Sequence, residues 1–199
     1  MKKLAAIMAG LMLLLLLLSL SKEKYVYAET LDSVHIYSVQ KGDSLFDISV
    51  KSGVSEHELK QTNHKKTNAL YVGEKLILPK SIAKEERDLL VRLVHAEAKG
   101  EAYEGKVAVA LVVLNRVEDK RFPNTIKDVI YAKNQFQPVA NGSINKLADE
   151  QAEKAVMEAL ALKGQDDQSV YFFNPKLTSD SWIRTRTVTK TIGNHLFAK

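Results

Sequence analysis

The sequence predicts an α+β protein: a small βααβ module followed by a mainly helical domain with a small β-sheet. Strand, helix, helix and strand signals succeed one another between His35 and Pro79. Val107-Ala-Val-Ala-Leu-Val-Val-Leu114 is apolar on every side, as expected of a helix buried in a domain core. Val170-Tyr-Phe-Phe173, closed by an Asn-Pro turn, has the β-branched and aromatic content of a strand.

The N-terminus reads as an export signal. Lys2-Lys3 precede a charge-free run from Leu4 to Leu20, and Val26-Tyr27-Ala28 ends in the small residue a cleavage site needs. Residues 1–28 are assigned to this leader and 29–34 to a linker, with cleavage expected after Ala28. An uncleaved anchor is the alternative, because the run is near the lower limit for spanning a bilayer; it would be the chain's one membrane contact. The net charge is +5, but the leader holds four Lys and one Glu, so 25 basic face 23 acidic residues in the remainder, or +2. That excess is too small to suggest nucleic acid. With no cysteine, disulfides and thiolate metal sites are excluded.

Residues 35–80 form the first module. His35 to Val39 alternates like a strand, and Gly42-Asp43 marks a turn. Asp43 or Ser44 caps a helix carrying Leu45 and Ile48, which Gly53 ends. Ser55 with Glu58 makes a capping box for a second helix to about Gln61, and Leu76 to Leu78 is the closing strand before Pro79. Residues 81–85 link to a second domain, 86–199. Helices are expected from Glu85 to about Ala98, from near Glu104 to Val117, after Thr125, and from Asp149 to Leu162. Asn115 and Arg116 read as polar anchors for neighbouring loops. Thr185 to Ile192 is a further possible strand.

Glu97 follows Leu90, Leu93 and Val94 by seven, four and three residues, so it shares their apolar helix face. Desolvation there would raise its pKa and keep it protonated, as a general acid requires. The same periodicity is compatible with Glu97 pairing with Arg92, Lys99 or Arg116. Glu101, beyond Gly100, is expected to orient the following loop and is grouped with the substrate-binding residues. Gln135, Phe136, Tyr171, Asn174 and Trp182 are polar or aromatic groups in or beside loops, suited to stacking on sugars and bonding N-acetyl groups; for Phe136 and Trp182 core packing is the alternative. His95 and Glu97, two apart on a helix, point to different faces and do not make a metal pair. No metal and no cofactor are expected, and His195 is assigned a structural hydrogen bond.

The frame Tyr37-x-Val39-x-x-Gly42-Asp43-Ser44-Leu45, continued by Leu70-Tyr-Val-Gly-Glu-Lys-Leu-Ile-Leu-Pro79, resembles a LysM module. LysM modules bind N-acetylglucosamine-containing wall glycan in a groove between the loop after the first strand and the loop before the last. The resemblance implies glycan contacts at Gly42, Asp43, Ser44, Leu45, Leu70 and Tyr71.

His95-Ala-Glu-Ala-Lys-Gly-Glu-Ala-Tyr-Glu-Gly105, Val113-Leu-Asn-Arg-Val117, Phe122-Pro123, Gln135-Phe136, Tyr171-Phe-Phe-Asn-Pro175, Ser181-Trp182 and Ile192-Gly-Asn-His-Leu-Phe197 occur in one order. Together they resemble the catalytic domain of the SleB/CwlJ-type cell-wall hydrolases. This implies a lysozyme or lytic-transglycosylase-like fold, cleavage of peptidoglycan between N-acetylmuramic acid and N-acetylglucosamine, and Glu97 as the catalytic acid. In lytic transglycosylases one carboxyl serves as acid and then base, whereas ordinary glycosidases use a pair. A secreted monomer at the cell wall or spore envelope is expected. A non-catalytic wall-binding scaffold and a metal-dependent stem-peptide amidase are the alternatives. The export signal with a single LysM departs from the family's germination enzymes, which often carry a different wall-binding domain.

Overall fold

The computed structural model describes residues 35–199; the expected leader and the linker at 29–34 lie outside the described residues. The fold is α+β, with two hydrophobic clusters. Among the described residues, no helix is long and apolar enough to cross a membrane.

The first cluster belongs to a βααβ unit. β1 (His35–Ser38) and β2 (Lys75–Leu78) make a two-stranded sheet, with α1 (Leu45–Ser52) and α2 (Glu56–Thr62) between them in sequence. Val39, Leu45, Ile48, Leu59 and Leu76 form the core. Burying each such side chain contributes roughly 1.5–3 kcal/mol, a small total for an independent unit, so local polar bonds matter. Ser44 caps α1, its Oγ accepting the Asp47 N–H at 3.0 Å; Ser55 caps α2 by accepting from Glu58. The Asn63 amide accepts from Ile77 N–H and donates to Ile77 carbonyl, both at 2.8 Å, acting as a strand partner for the β2 edge.

The second cluster is organised by α4 (Tyr103–Glu118), in which every residue from Gly105 to Arg116 is buried. α3 (Lys84–Glu97) lays Leu89, Leu90, Leu93 and Val94 on it. α7 (Glu150–Leu162) offers Ala152, Ala155, Ala159 and Ala161, small residues that let the two helices approach closely. The Tyr103 hydroxyl donates to Glu158 at 2.8 Å and ties the N-terminus of α4 to α7. Shorter helices α5 (Ile126–Tyr131) and α6 (Gln137–Ala140) cover one side. Helix capping follows the local signals: Thr125 accepts from Asp128 and Asp149 from Ala152.

β3 (Tyr171–Phe173), β4 (Val188–Ile192) and β5 (His195–Ala198) form an antiparallel sheet in the order β3-β5-β4. One expectation is corrected here: Ile183–Thr185 is a 3-10 turn, so the strand expected from Thr185 begins at Val188. His195–Ala198 adds a strand the sequence did not announce, and it is the central one: Phe172 pairs with Phe197 in β5, which pairs with Lys190 on the other side.

The βααβ unit packs on the helical one through α1, α2 and α7. Gly53, in the left-handed region at φ 64°, ends α1 where an added Cβ would lie 3.2 Å from the Met157 methyl. The Ser55 hydroxyl donates to the Lys163 carbonyl at 2.8 Å. The Lys163 ammonium bridges Glu58 at 3.1 Å and Glu118 at 2.8 Å.

Candidate active site

Glu97 is the last residue of α3 and stands at the edge of the main core, half-buried, one turn beyond the fully buried Leu93 and Val94. Burial raises its pKa, because the carboxylate loses water that the apolar surroundings do not replace; the backbone N–H of Gln137 pulls the other way. Of the pairings left open by the sequence, none forms: the ion pairs of the described residues do not include Glu97 with Arg92, Lys99 or Arg116.

The Glu97 carboxyl opens into a cleft of ≈ 680 Å³, whose walls include Gln135, Tyr171, Asn174 and Trp182. Tyr171 and Trp182 meet edge to face, centroids 5.3 Å apart, and Trp182 is half-exposed, leaving aromatic surface toward the cleft. Asn174 begins the loop 174–186, which the Arg184 guanidinium ties by donating to the Pro175 and Thr178 carbonyls. This arrangement puts a carboxyl of raised pKa beside aromatic and amide groups, a set of groups suited to a sugar chain.

Arg116 also lines the cleft and is buried. Its Nε donates to the Val170 carbonyl at 2.7 Å and its Nη1 to the Gln135 side-chain oxygen at 3.1 Å. Its guanidinium lies 5.0 Å from the Phe122 ring centre and 5.4 Å from that of Phe136, and burial pushes its pKa down to about 10. The side chain thus joins the start of β3 to the Gln135 loop and braces two walls of the cleft, a role as an anchor.

Several assigned residues lie elsewhere. Phe136 is 4% exposed and packed in the core, so it has no free face for a sugar; a single aromatic in a loop carries no periodicity from which burial can be read. Glu101 is not in the cleft. Gly100, at φ 86°, turns the chain, and the Glu101 carboxylate faces His195 Nδ1 at 3.3 Å on β5. His95 faces Asp149 at 3.2 Å instead. Among the described residues, no group of three or more His, Cys, Asp or Glu could hold a metal.

In the βααβ unit, Leu45 is 1% exposed and in the core, so it presents no face to glycan, while Leu70 packs against that core and is half-buried. The Asp43 carboxylate is consumed internally: it accepts from Tyr37 hydroxyl and Gln40 N–H, both at 2.8 Å, and pairs with Lys51. The Gln40 N–H, then Lys51 and Tyr37, hold its pKa down at about 2. Gly42 and Ser44 are exposed, as is Tyr71 at 74%.

Sequence reasoning missed Gln137, Leu177 and Asp180 as cleft residues. Gln137 acts through its backbone N–H, which has no sequence signature. Asp180 is exposed and accepts the Trp182 N–H at 2.8 Å, so it caps its own loop.

Residues 100–198 match the model of the Cell Wall Hydrolase family, and residues 37–79 match the LysM domain. The chain is similar to the catalytic domain of the germination-specific lytic transglycosylase SleB from Bacillus anthracis, at 39% identity and a TM-score of 0.57, covering 99% of that structure and 61% of this chain. The chain belongs to the cell wall hydrolase family. Within that family it is also similar to the SleB catalytic domain of Bacillus cereus, at 41% identity and a TM-score of 0.56, covering 94% of that structure and 61% of this chain. Among curated relatives, it is 37% identical over 148 residues to a spore cortex-lytic enzyme of Bacillus cereus, which is 74% of this chain and 54% of that protein. The chain thus spans about half the length of the curated relatives it matches. Glu97 lies three residues before the stretch matched by the cell wall hydrolase model.

Proposed function

We propose that this protein cleaves the glycan strand of peptidoglycan as a lytic transglycosylase, with Glu97 as its acid and then its base. The observation that carries this reading is the Glu97 carboxyl, its pKa raised by burial, at the wall of a cleft lined by Tyr171, Trp182, Asn174 and Gln135. Glu97 protonates the glycosidic oxygen between N-acetylmuramic acid and N-acetylglucosamine, and the bond from that oxygen to the muramyl C1 breaks. The resulting Glu97 carboxylate then takes the proton of the muramyl 6-hydroxyl as its oxygen bonds to C1, leaving a 1,6-anhydro end and restoring the acid. Asp180, the other carboxylate lining the cleft, is committed to its own loop, which favours one carboxyl in two roles over a pair.

The relatives are a spore cortex-lytic enzyme and a germination-specific lytic transglycosylase, and we extend spore cortex glycan to this chain as substrate. Residues 35–80 are proposed as the wall-binding module, with Gly42, Ser44 and Tyr71 against the sugar, and residues 86–199 as the catalytic domain. The site of action is outside the membrane, at the wall or spore envelope.

Mass spectrometry of digests of cortex and vegetative wall tests substrate and reaction together. An anhydro end is lighter than a hydrolysed end by one water. Reducing muramyl ends would instead indicate a hydrolase, and new free amino groups a peptidase or amidase.

A further inference from the structure

We propose that Lys106 is a positioning residue that fixes the end of α3 on which Glu97 stands; this rests on the reading of Glu97 as the acid. Lys106 lies in the first turn of α4 and is 5% exposed, rare burial for a lysine. Its ammonium donates to two backbone carbonyls, Ala98 and Glu101, each at 3.1 Å. It has no ion-pair partner among the described residues.

Those two carbonyls bracket the turn that begins immediately after Glu97. Ala98 is the C-cap of α3, its N–H bonded back to Val94, and its carbonyl also accepts the Glu101 N–H at 3.1 Å. Between them lies Gly100 at φ 86°, exposed and with no atom within 4 Å of where a Cβ would stand. Packing therefore does not hold this turn at Gly100. The clamp holds it from inside through Lys106, and from outside through the pair of Glu101 with His195 on β5.

A side chain that only filled space here would be apolar, because burying an ammonium is costly unless its protons find acceptors. Lys106 meets that need with the carbonyls of Ala98, the C-cap of α3, and of Glu101 in the turn beyond it. Glu97 is one residue from the first of them, and proton transfer to a glycosidic oxygen needs its carboxyl placed to a fraction of an ångström. Tyr171 and Trp182 sit on β3 and the loop after it, elements separate from this turn. Loosening the turn should therefore slow the chemical step while leaving substrate binding alone.

The test is Lys106→Met and Lys106→Arg in the full chain, with initial rates on soluble glycan fragments and folding followed by circular dichroism. For Lys106→Met, kcat is expected to fall by about 10- to 100-fold with KM changed by less than about twofold. Lys106→Arg, which keeps a cation and its donors, is expected to hold kcat within about fivefold of wild type. A folded Lys106→Met with unchanged kcat, or one in which KM rises while kcat holds, overturns the proposal. Should Lys106→Met fail to fold, Lys106→Arg decides alone, and a loss of kcat beyond about fivefold overturns it. Glu97→Gln assayed in parallel separates the two readings. An active Glu97→Gln would mean that the acid was misassigned, whereas an inactive one beside a fully active Lys106→Met would mean that the clamp does not position it.

Discussion

Glu97→Gln changes one atom's chemistry and almost nothing of shape. The amide oxygen can still accept from the Gln137 N–H, and the half-buried site loses a group whose charged form it disfavours. Removing a general acid costs about 10²- to 10⁴-fold in rate. At about 1.4 kcal/mol per tenfold, that is about 3–5 kcal/mol of barrier. Stability should move the other way, because burial raises the folded-state pKa of Glu97 above its ordinary value near 4.5. As pH rises from that value through the folded-state one, the unfolded chain releases its proton first, so the carboxyl progressively destabilises the fold. The Gln side chain has no proton to release. Its thermal midpoint should match wild type near pH 4 and exceed it at pH 7, by about 2–4 °C for each kcal/mol relieved. The assay is clearance of wall suspensions together with thermal melts at both pH values. A folded Glu97→Gln that clears walls within tenfold of wild type, or that melts lower than wild type at pH 7, refutes the argument.

Wild-type activity should decline as pH rises through the folded-state pKa of Glu97, giving an alkaline limb above the ordinary glutamate range in a kcat profile. Trp182→Ala should raise KM on glycan fragments by about tenfold, on the order of 1.5 kcal/mol of lost stacking, with little change in the melting temperature because the ring is half-exposed. Arg116→Lys removes the fork that reaches Val170 and Gln135 and should cost about 2 kcal/mol of stability, read by urea unfolding. Asp43, held at about 2, stabilises the βααβ unit above its ordinary value of 3.8; that contribution should be lost as pH falls from there through about 2, and Asp43→Asn should abolish that part of the acid transition.

The features that were legible in the sequence are those whose physics is local. Ser44, Ser55, Thr125 and Asp149 were readable because a cap bonds two or three residues ahead, and α4 because its apolar run leaves no polar face to expose. β5 was hidden because a four-residue strand gains its identity from its partners, Phe172 far off in sequence on one side and Lys190 across the Gly193-Asn194 turn on the other. The site divided the same way. The burial of Glu97 at the end of its helix could be read from helical spacing. The fate of Phe136 depends on what docks against it, namely Arg116. Glu101 carries the same motif as Glu97, but it is turned out of the cleft by Gly100 and held by a histidine 94 residues away, a contact that no local pattern encodes.

The end of a helix is a demanding place to keep a carboxylic acid, and the structure balances it from several sides. Burial raises the proton affinity of Glu97, and the negative end of the α3 dipole acts in the same direction. The Gln137 N–H opposes this, because it favours the carboxylate. A carboxyl that acts as acid and then base, as proposed for Glu97, needs this opposition. If its proton were held too tightly it could not be passed to the glycosidic oxygen, and if too loosely the side chain would be ionised before the sugar arrived. The Gln137 N–H meets the carboxyl itself, while Lys106 holds the turn that follows Glu97 through the Ala98 and Glu101 carbonyls. Perturbing the Gln137 contact should therefore displace the alkaline limb as well as lower its height, whereas damage to the cleft walls at Tyr171 or Trp182 should lower kcat/KM without moving it.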